Sequence, residues 1–197
     1  RIMTRLIDLH GDGAAVSPTG IAVLWTESLH GGAGQSMPLE PVARFAGAVA
    51  AFVLRAPSDG ATPRILSRHA RSAPLQAVRP LGTDLIPVAV HRARVGTLWW
   101  LREADAGAIG ARRLEQMRDC GIGEAVTLIL AQGEGFVDLL ELHLQRPPAG
   151  EEAGRLQELA QALSFAWRRV PDARLARRFA LGPVRVVPSP QPVVASS

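Results

Sequence analysis

Cys120 is the only cysteine of this chain and His143 is one of five histidines. A thiolate at Cys120 with His143 as its base would be a nucleophile for acyl transfer, given a positive group beside the sulfur. Arg118 is near in sequence, but a helix C-terminus is where the backbone dipole opposes negative charge. The favoured reading is a small, semi-buried cysteine at a helix end. His10, His30, His69, His91 and His143 are scattered, and none makes the H-x-x-x-H or H-E-x-x-H spacing of a metal site. Glu141 and His143 stand two apart, so on a strand they share a side and read as a polar pair within a sheet. There is no G-x-S-x-G elbow for a serine nucleophile. Gly31-Gly32-Ala33-Gly34 lacks the lysine and hydroxyl residue of a phosphate loop, and Gly121-Ile122-Gly123 precedes a strand where a dinucleotide fingerprint would follow one. The chain is therefore expected to be no enzyme and to hold neither metal nor cofactor.

Binding chemistry is better represented. Trp25, Trp99, Trp100 and Trp167 are the four tryptophans, and indoles can line an apolar pocket while their N–H fixes a polar ligand atom. Core packing is the competing reading for Trp25 and Trp167. Trp99 and Trp100 are adjacent, so on a strand one of them faces outward, towards a pocket rim or a dimer contact. The candidate ligand-binding residues are thus Trp25, Trp99, Trp100, Cys120 and His143, placed around one cavity.

The elements that would position them follow from periodicity. Ile2, Leu6 and Leu9 are spaced for one helical face, and residues 21–26 (IAVLWT) form a compact strand candidate. Leu39 to Leu54 places Leu39, Val42, Ala46, Val49 and Val53 on one side of a helix, with Pro41 near its start. A loop with a short helix around Ile65 to Arg71 follows. Leu85–Val90 and Val95–Leu101 are apolar runs that fit either strand or helix. Asp105 can cap a helix reaching about Cys120, with Gly121 at its C′ position. Val126, Leu128 and Leu130 then alternate with their neighbours, the turn Gln132-Gly133-Glu134-Gly135 intervenes, and residues 136–144 alternate again. Both faces of this hairpin are partly apolar, which predicts a central sheet covered on two sides. A helix over 149–169 carries Leu156, Leu159, Ala160, Leu163, Ala166 and Trp167 at spacings of three and four.

Composition bounds the rest. The 197 residues, 47% of them hydrophobic, suffice for one domain with a real core. Lysine, asparagine and tyrosine are absent, so all 22 basic residues are arginine, and the net charge of +4 steers acidic partners only weakly. No apolar run approaches the roughly 18 residues of a membrane span, and no secretory signal is visible. A reducing, cytoplasmic setting is expected from the single cysteine. Residues 168–178 (RRVPDARLARR) could meet phosphates, although a solvated connector is the favoured reading. The proline-rich end, PVRVVPSPQPVVASS, is expected to stay extended and mostly unpacked. The division predicted is a folded domain over 1–170 and an Arg/Pro-rich linker over 171–197.

The run VDLLELHLQRP, followed by an alanine- and leucine-rich helix ending AWRR, resembles the N-terminal sensory region of LuxR-type helix-turn-helix transcriptional regulators from alphaproteobacteria. The matching positions are Leu140 to His143, Ala166 to Arg169, and the tail from Pro171. The resemblance implies an α/β (α+β) fold of the GAF or PAS kind, a central antiparallel sheet flanked by helices with a long C-terminal helix and an extended tail. It further implies a homodimer that answers a small-molecule signal or a regulatory protein. Such a dimer would reach DNA only through a C-terminal domain not contained in these residues. No acyl-homoserine-lactone pocket pattern is recognisable. A stand-alone ligand-binding or protein-interaction module is the alternative.

Overall fold

A computed structural model of the chain describes residues 17–31, 36–58, 61–80, 95–96, 98–100 and 103–182, the side chains of 76–77, 99–100 and 103–110 excepted. Its strands are β1 (Ala48–Pro57), β2 (Arg64–Ala70), β3 (Leu98–Trp100), β4 (Glu124–Gly133) and β5 (Phe136–Leu144). They form one five-stranded sheet in the order β2-β1-β5-β4-β3, with every neighbouring pair antiparallel. The helices are α1 (Pro18–His30), α2 (Leu39–Ala46), α3 (Ala73–Ala77), α4 (Glu103–Asp119), α5 (Gly150–Arg168) and α6 (Asp172–Arg178).

The hairpin of β4 and β5 is the centre of the sheet. Gly133 pairs with Phe136 across the turn, and Gly135 takes a φ of 79°, which favours glycine. The alternation expected along both strands is borne out. Val126, Leu128, Leu130, Leu140, Leu142 and Leu144 enter one large core cluster with Ala51 and Val53 of β1. That cluster is closed from above by α1 and α5, through Ile21, Trp25, Leu29, Leu156, Leu159, Leu163 and Trp167. The expected helix over 149–169 is observed as α5, and the helix expected to begin near Asp105 is observed as α4.

Four expectations are corrected. Residues 21–26 are helix, not strand: the Ser17 hydroxyl accepts the Gly20 N–H at 3.1 Å, Pro18 sits at the first helical positions, and Ile21, Trp25 and Leu29 bury one stripe at i, i+4 spacing. The helix expected over 39–54 ends at Ala46, because Gly47 turns left-handed (φ 64°) and the apolar run after it becomes β1, buried on both sides. Residues 65–71 are not a helix, since 64–70 form β2, an edge strand in antiparallel register with β1. After Pro171 the chain is not immediately unpacked: α6 forms, and Leu175 is buried in the main cluster. Residues 1–16, 85–90 and 183–197, where a first helix, an apolar run and the end of the tail were read, lie outside the described residues.

Candidate functional site

The two faces of the sheet differ in chemistry. The α1/α5 face holds one continuous apolar cluster. On the other face the described apolar side chains fall into two clusters. Val49, Leu114, Met117, Ile122 and Ala125 form one, and Ala50, Phe52, Leu54, Ala56, Ile129, Val137 and Leu139 form the other. Alternation places Thr127, Glu141 and His143 on this same face, and all three are buried. Register makes them neighbours: Thr127 is opposite Glu141, Phe52 is opposite Glu141 on the other side, and Ala125 is opposite His143.

Glu141 and His143 meet through Oε1 and Nε2 at 2.7 Å, and the imidazole lies 5.0 Å from the Phe52 ring. A buried polar pair was the reading from sequence, and the structure makes the burial complete. The other ring nitrogen, Nδ1, is buried and has no hydrogen-bond partner among the described residues. A buried polar atom without a partner costs about 1–3 kcal/mol.

A second polar group interrupts the α1/α5 face. Arg55 donates through Nε and Nη2 to the two carboxylate oxygens of Asp138 at 2.7 and 2.8 Å. Trp167 Nε1 donates to Asp138 Oδ2 at 2.7 Å, and Arg55 Nη1 lies 2.8 Å from Asp172 Oδ1 at the start of α6. The Arg55 guanidinium also stacks 3.8 Å above the Phe136 ring. Burial pushes the Asp138 carboxyl above its ordinary range, against the downward pull of Arg55 and the Trp167 N–H. Burial draws Arg55 down, but Asp138 and Asp172 more than reverse it and hold the guanidinium charged. This network joins the sheet to the end of α5 and the start of α6.

Of the five residues singled out from sequence, Trp25 and His143 lie on opposite faces of the sheet. Trp25 is fully buried on the α1/α5 face, 5.9 Å from the Trp167 ring, with Nε1 donating to the Pro38 carbonyl at 3.3 Å. It is a core residue, as its competing reading held, and is not near His143, which lies on the opposite face. Cys120 is exposed rather than semi-buried, just past α4. Trp99 and Trp100 stand in β3, opposite Thr127 and Val126, while their side chains lie outside the described residues. Sequence reasoning missed Thr127, Arg55 and Asp138. The signal for the last two was present: each is a charge set inside an apolar strand run, where burial demands a partner. Among the described residues no group of three or more His, Cys, Asp or Glu side chains could hold a metal ion.

Comparison with solved structures defines the class of fold. The chain superposes with a TM-score of 0.51 on the GAF domain of a phosphoenolpyruvate-protein phosphotransferase from Coxiella burnetii, at 13% identity, covering 83% of this chain and 99% of that one. The GAF domain of the Acinetobacter phosphoenolpyruvate-protein phosphotransferase is similar at a TM-score of 0.48 and 10% identity, covering 84% and 95%. The chromophore-binding domain of a bacteriophytochrome from R. palustris gives 0.49 at 12% identity, covering 78% of this chain and 60% of that one. No protein-family model and no curated protein matches the sequence. The fold is a GAF-like α+β domain, as the sequence resemblance implied. No described helix is long and apolar enough to cross a membrane.

Proposed function

We propose that this chain is a GAF-type sensory domain that binds a small molecule against the sheet face carrying Thr127, Glu141 and His143. The observation that carries the reading is the buried Nδ1 of His143, without a partner among the described residues and on the sheet face that carries two described apolar clusters. Polar groups fixed on a rigid strand pair and flanked by apolar walls suit orientation of a ligand rather than chemistry on it. We read the domain as non-catalytic: among the described residues Cys120 is exposed past α4, and His143 is buried on the sheet. Trp99 remains a candidate contact, because register sets it opposite Thr127.

The resemblance at Leu140–His143, Ala166–Arg169 and the tail supports a finer assignment, the sensory region of a cytoplasmic, dimeric LuxR-type regulator. DNA would be reached through a helix-turn-helix domain C-terminal to the tail. Ligand binding would shift the equilibrium between two placements of α5 and α6, by as much as its affinity differs between them. The direct test is native mass spectrometry of the chain and of His143→Leu. A dimer with a reproducible added mass, lost in the variant while the dimer persists, supports the sensor. A wild-type dimer that takes up no mass from cell extract argues for control by a partner protein instead. Coding sequence beyond Ser197 that continues into a helix-turn-helix supports the LuxR-type assignment, and its absence removes it.

A further inference from the structure

The C-terminal end of α1 and the short helix α6 enclose an open cleft of about 320 Å³, lined by Leu29, His30, Gly31, Arg174, Arg177 and Arg178. Three guanidinium groups and an imidazole thus meet at one concavity, and no carboxylate lines it among the described residues. Arg174, Arg177 and Arg178 follow i, i+3, i+4 spacing, so they crowd one helical side while Leu175 anchors the helix in the core. Like charges at these spacings repel one another. Arg174 and Arg177 are exposed, and neither forms an ion pair among the described residues.

Arg178 is held in place. Its Nη1 donates to the Ser28 carbonyl at 2.6 Å and its Nη2 to the Ser28 hydroxyl at 3.0 Å, and burial draws its pKa down from the ordinary value. The negative end of α1 would repel an anion if its last carbonyls were bare. Three of them are covered: the Thr26 carbonyl meets His30 Nδ1 at 2.8 Å, and the Gly31 N–H serves Glu27 and Ser28 at 2.9 and 3.1 Å. The Thr26 carbonyl can only accept, so His30 Nδ1 carries the hydrogen and Nε2 is left out of this bond.

We propose that this cleft binds the phosphate group of a small molecule, with Arg174 and Arg177 as its forked donors and Arg178 as a fixed charge behind them. Guanidinium forks match a phosphate's oxygens two at a time, and three of them suit a doubly charged anion better than a single carboxylate. The volume is at the low end of the roughly 300–1,000 Å³ of small-ligand sites. The cations converge on one concavity instead of tracking an extended backbone, which favours a discrete phosphate over a nucleic acid. Such an anion would also clamp α6 onto α1. Asp172, the first residue of α6, bonds Arg55 at 2.8 Å, so the clamp would hold the sheet network in place.

The test is calorimetric titration of the full chain with inorganic phosphate and with pyrophosphate at constant ionic strength, alongside thermal melting. Saturable binding, tighter for pyrophosphate, with a higher melting temperature is expected. Arg174→Gln/Arg177→Gln should weaken binding at least about tenfold by loss of charge-assisted hydrogen bonds. Arg44→Gln, which removes only an exposed pair with Glu40, should leave it unchanged. If the double variant loses its circular dichroism signal, Arg177→Gln alone carries the comparison. Linear, non-saturable heats, or equal affinity in the arginine variant, overturn the proposal. So does duplex DNA bound through the same arginines and not displaced by pyrophosphate. His143→Leu should keep phosphate binding, which separates this cleft from the sensory face.

Discussion

The indole N–H of Trp167 donates to Asp138 Oδ2 at 2.7 Å, across the boundary between α5 and the central strand β5. The same carboxylate receives the Arg55 fork, and Arg55 goes on to Asp172. One aspartate therefore links β1, β5, α5 and, through Arg55, α6. The Trp167 ring itself sits between Trp25 at 5.9 Å and Phe179 at 6.0 Å. Trp167→Phe keeps a ring in that stack and removes the donor. Urea denaturation should show a loss of about 1.5–3 kcal/mol, the worth of a hydrogen bond to a charged group. Unchanged stability would mean that the network does not fasten α5 to the sheet.

Asp138→Ala should be the harsher change. It leaves Arg55 buried with only the half-exposed Asp172 as counter-charge, and breaking one side of a buried pair costs about 3–5 kcal/mol. Replacing both partners, Arg55→Met with Asp138→Leu, should recover most of that loss, since desolvation no longer has to be offset. If the double variant is as unstable as the single one, packing rather than charge is what Asp138 supplies.

The elements legible in the sequence are those with long, unambiguous periods: α4, the β4–β5 hairpin and α5. The misread ones had their signals in the flanks. IAVLWT alone fits a strand, but Ser17-Pro18 before it is a helix start, and Leu29 extends the Ile21–Trp25 stripe by another turn. AVAAFVL after Gly47 is apolar on every side, so period cannot separate a helix from a doubly covered strand; the left-handed glycine decides. The candidate site was half legible. Glu141 and His143 pair within one strand, where spacing of two suffices. Thr127 joins them only through cross-strand register, and Arg55 finds Asp138 from 83 positions away, which no local pattern reports.

Polar groups on the sheet face of Thr127, Glu141 and His143 should be held at a cost to stability. Replacing the pair together, Glu141→Leu with His143→Leu, removes a buried nitrogen that lacks a partner among the described residues. The double variant should match or exceed the wild type by about 1–3 kcal/mol in denaturant unfolding, while losing any ligand mass. A large destabilisation instead would make the pair a structural strut and weaken the sensor reading.

The start of α5 should depend on pH. Its N-cap position is Ala149, which offers no side-chain oxygen, so Glu152 does the capping by accepting the Ala149 N–H at 2.8 Å. Arg146 first, and that N–H second, lower the Glu152 carboxyl from an ordinary 4.5 to about 2. A depressed carboxyl stabilises the fold fully above its unfolded value and loses that contribution as pH falls through its folded value. Acidification from 4.5 towards about 2 should therefore fray the first turn of α5. NMR titration of the Glu152 side chain should give a midpoint near the lower value, and Arg146→Gln should raise it.

Gly121 and Gly123 are explained by backbone geometry alone, which leaves the rejected nucleotide motif without a role. Gly121 ends α4 with a φ of 76°, and its N–H reaches the Arg118 carbonyl at 2.8 Å. Gly123 donates to the Leu144 carbonyl at 2.9 Å, and a Cβ there would collide with the Gln145 carbonyl oxygen. That neighbour is backbone, so it cannot swing away as a side chain would. Gly123→Ala must displace the end of β5, and with it the strand that carries His143. Both Gly121→Ala and Gly123→Ala should lose more than about 1 kcal/mol, the first from strained φ and the second from steric overlap. Only Gly123→Ala should shift the amide resonances of residues 143–146, because only that change pushes on the sheet.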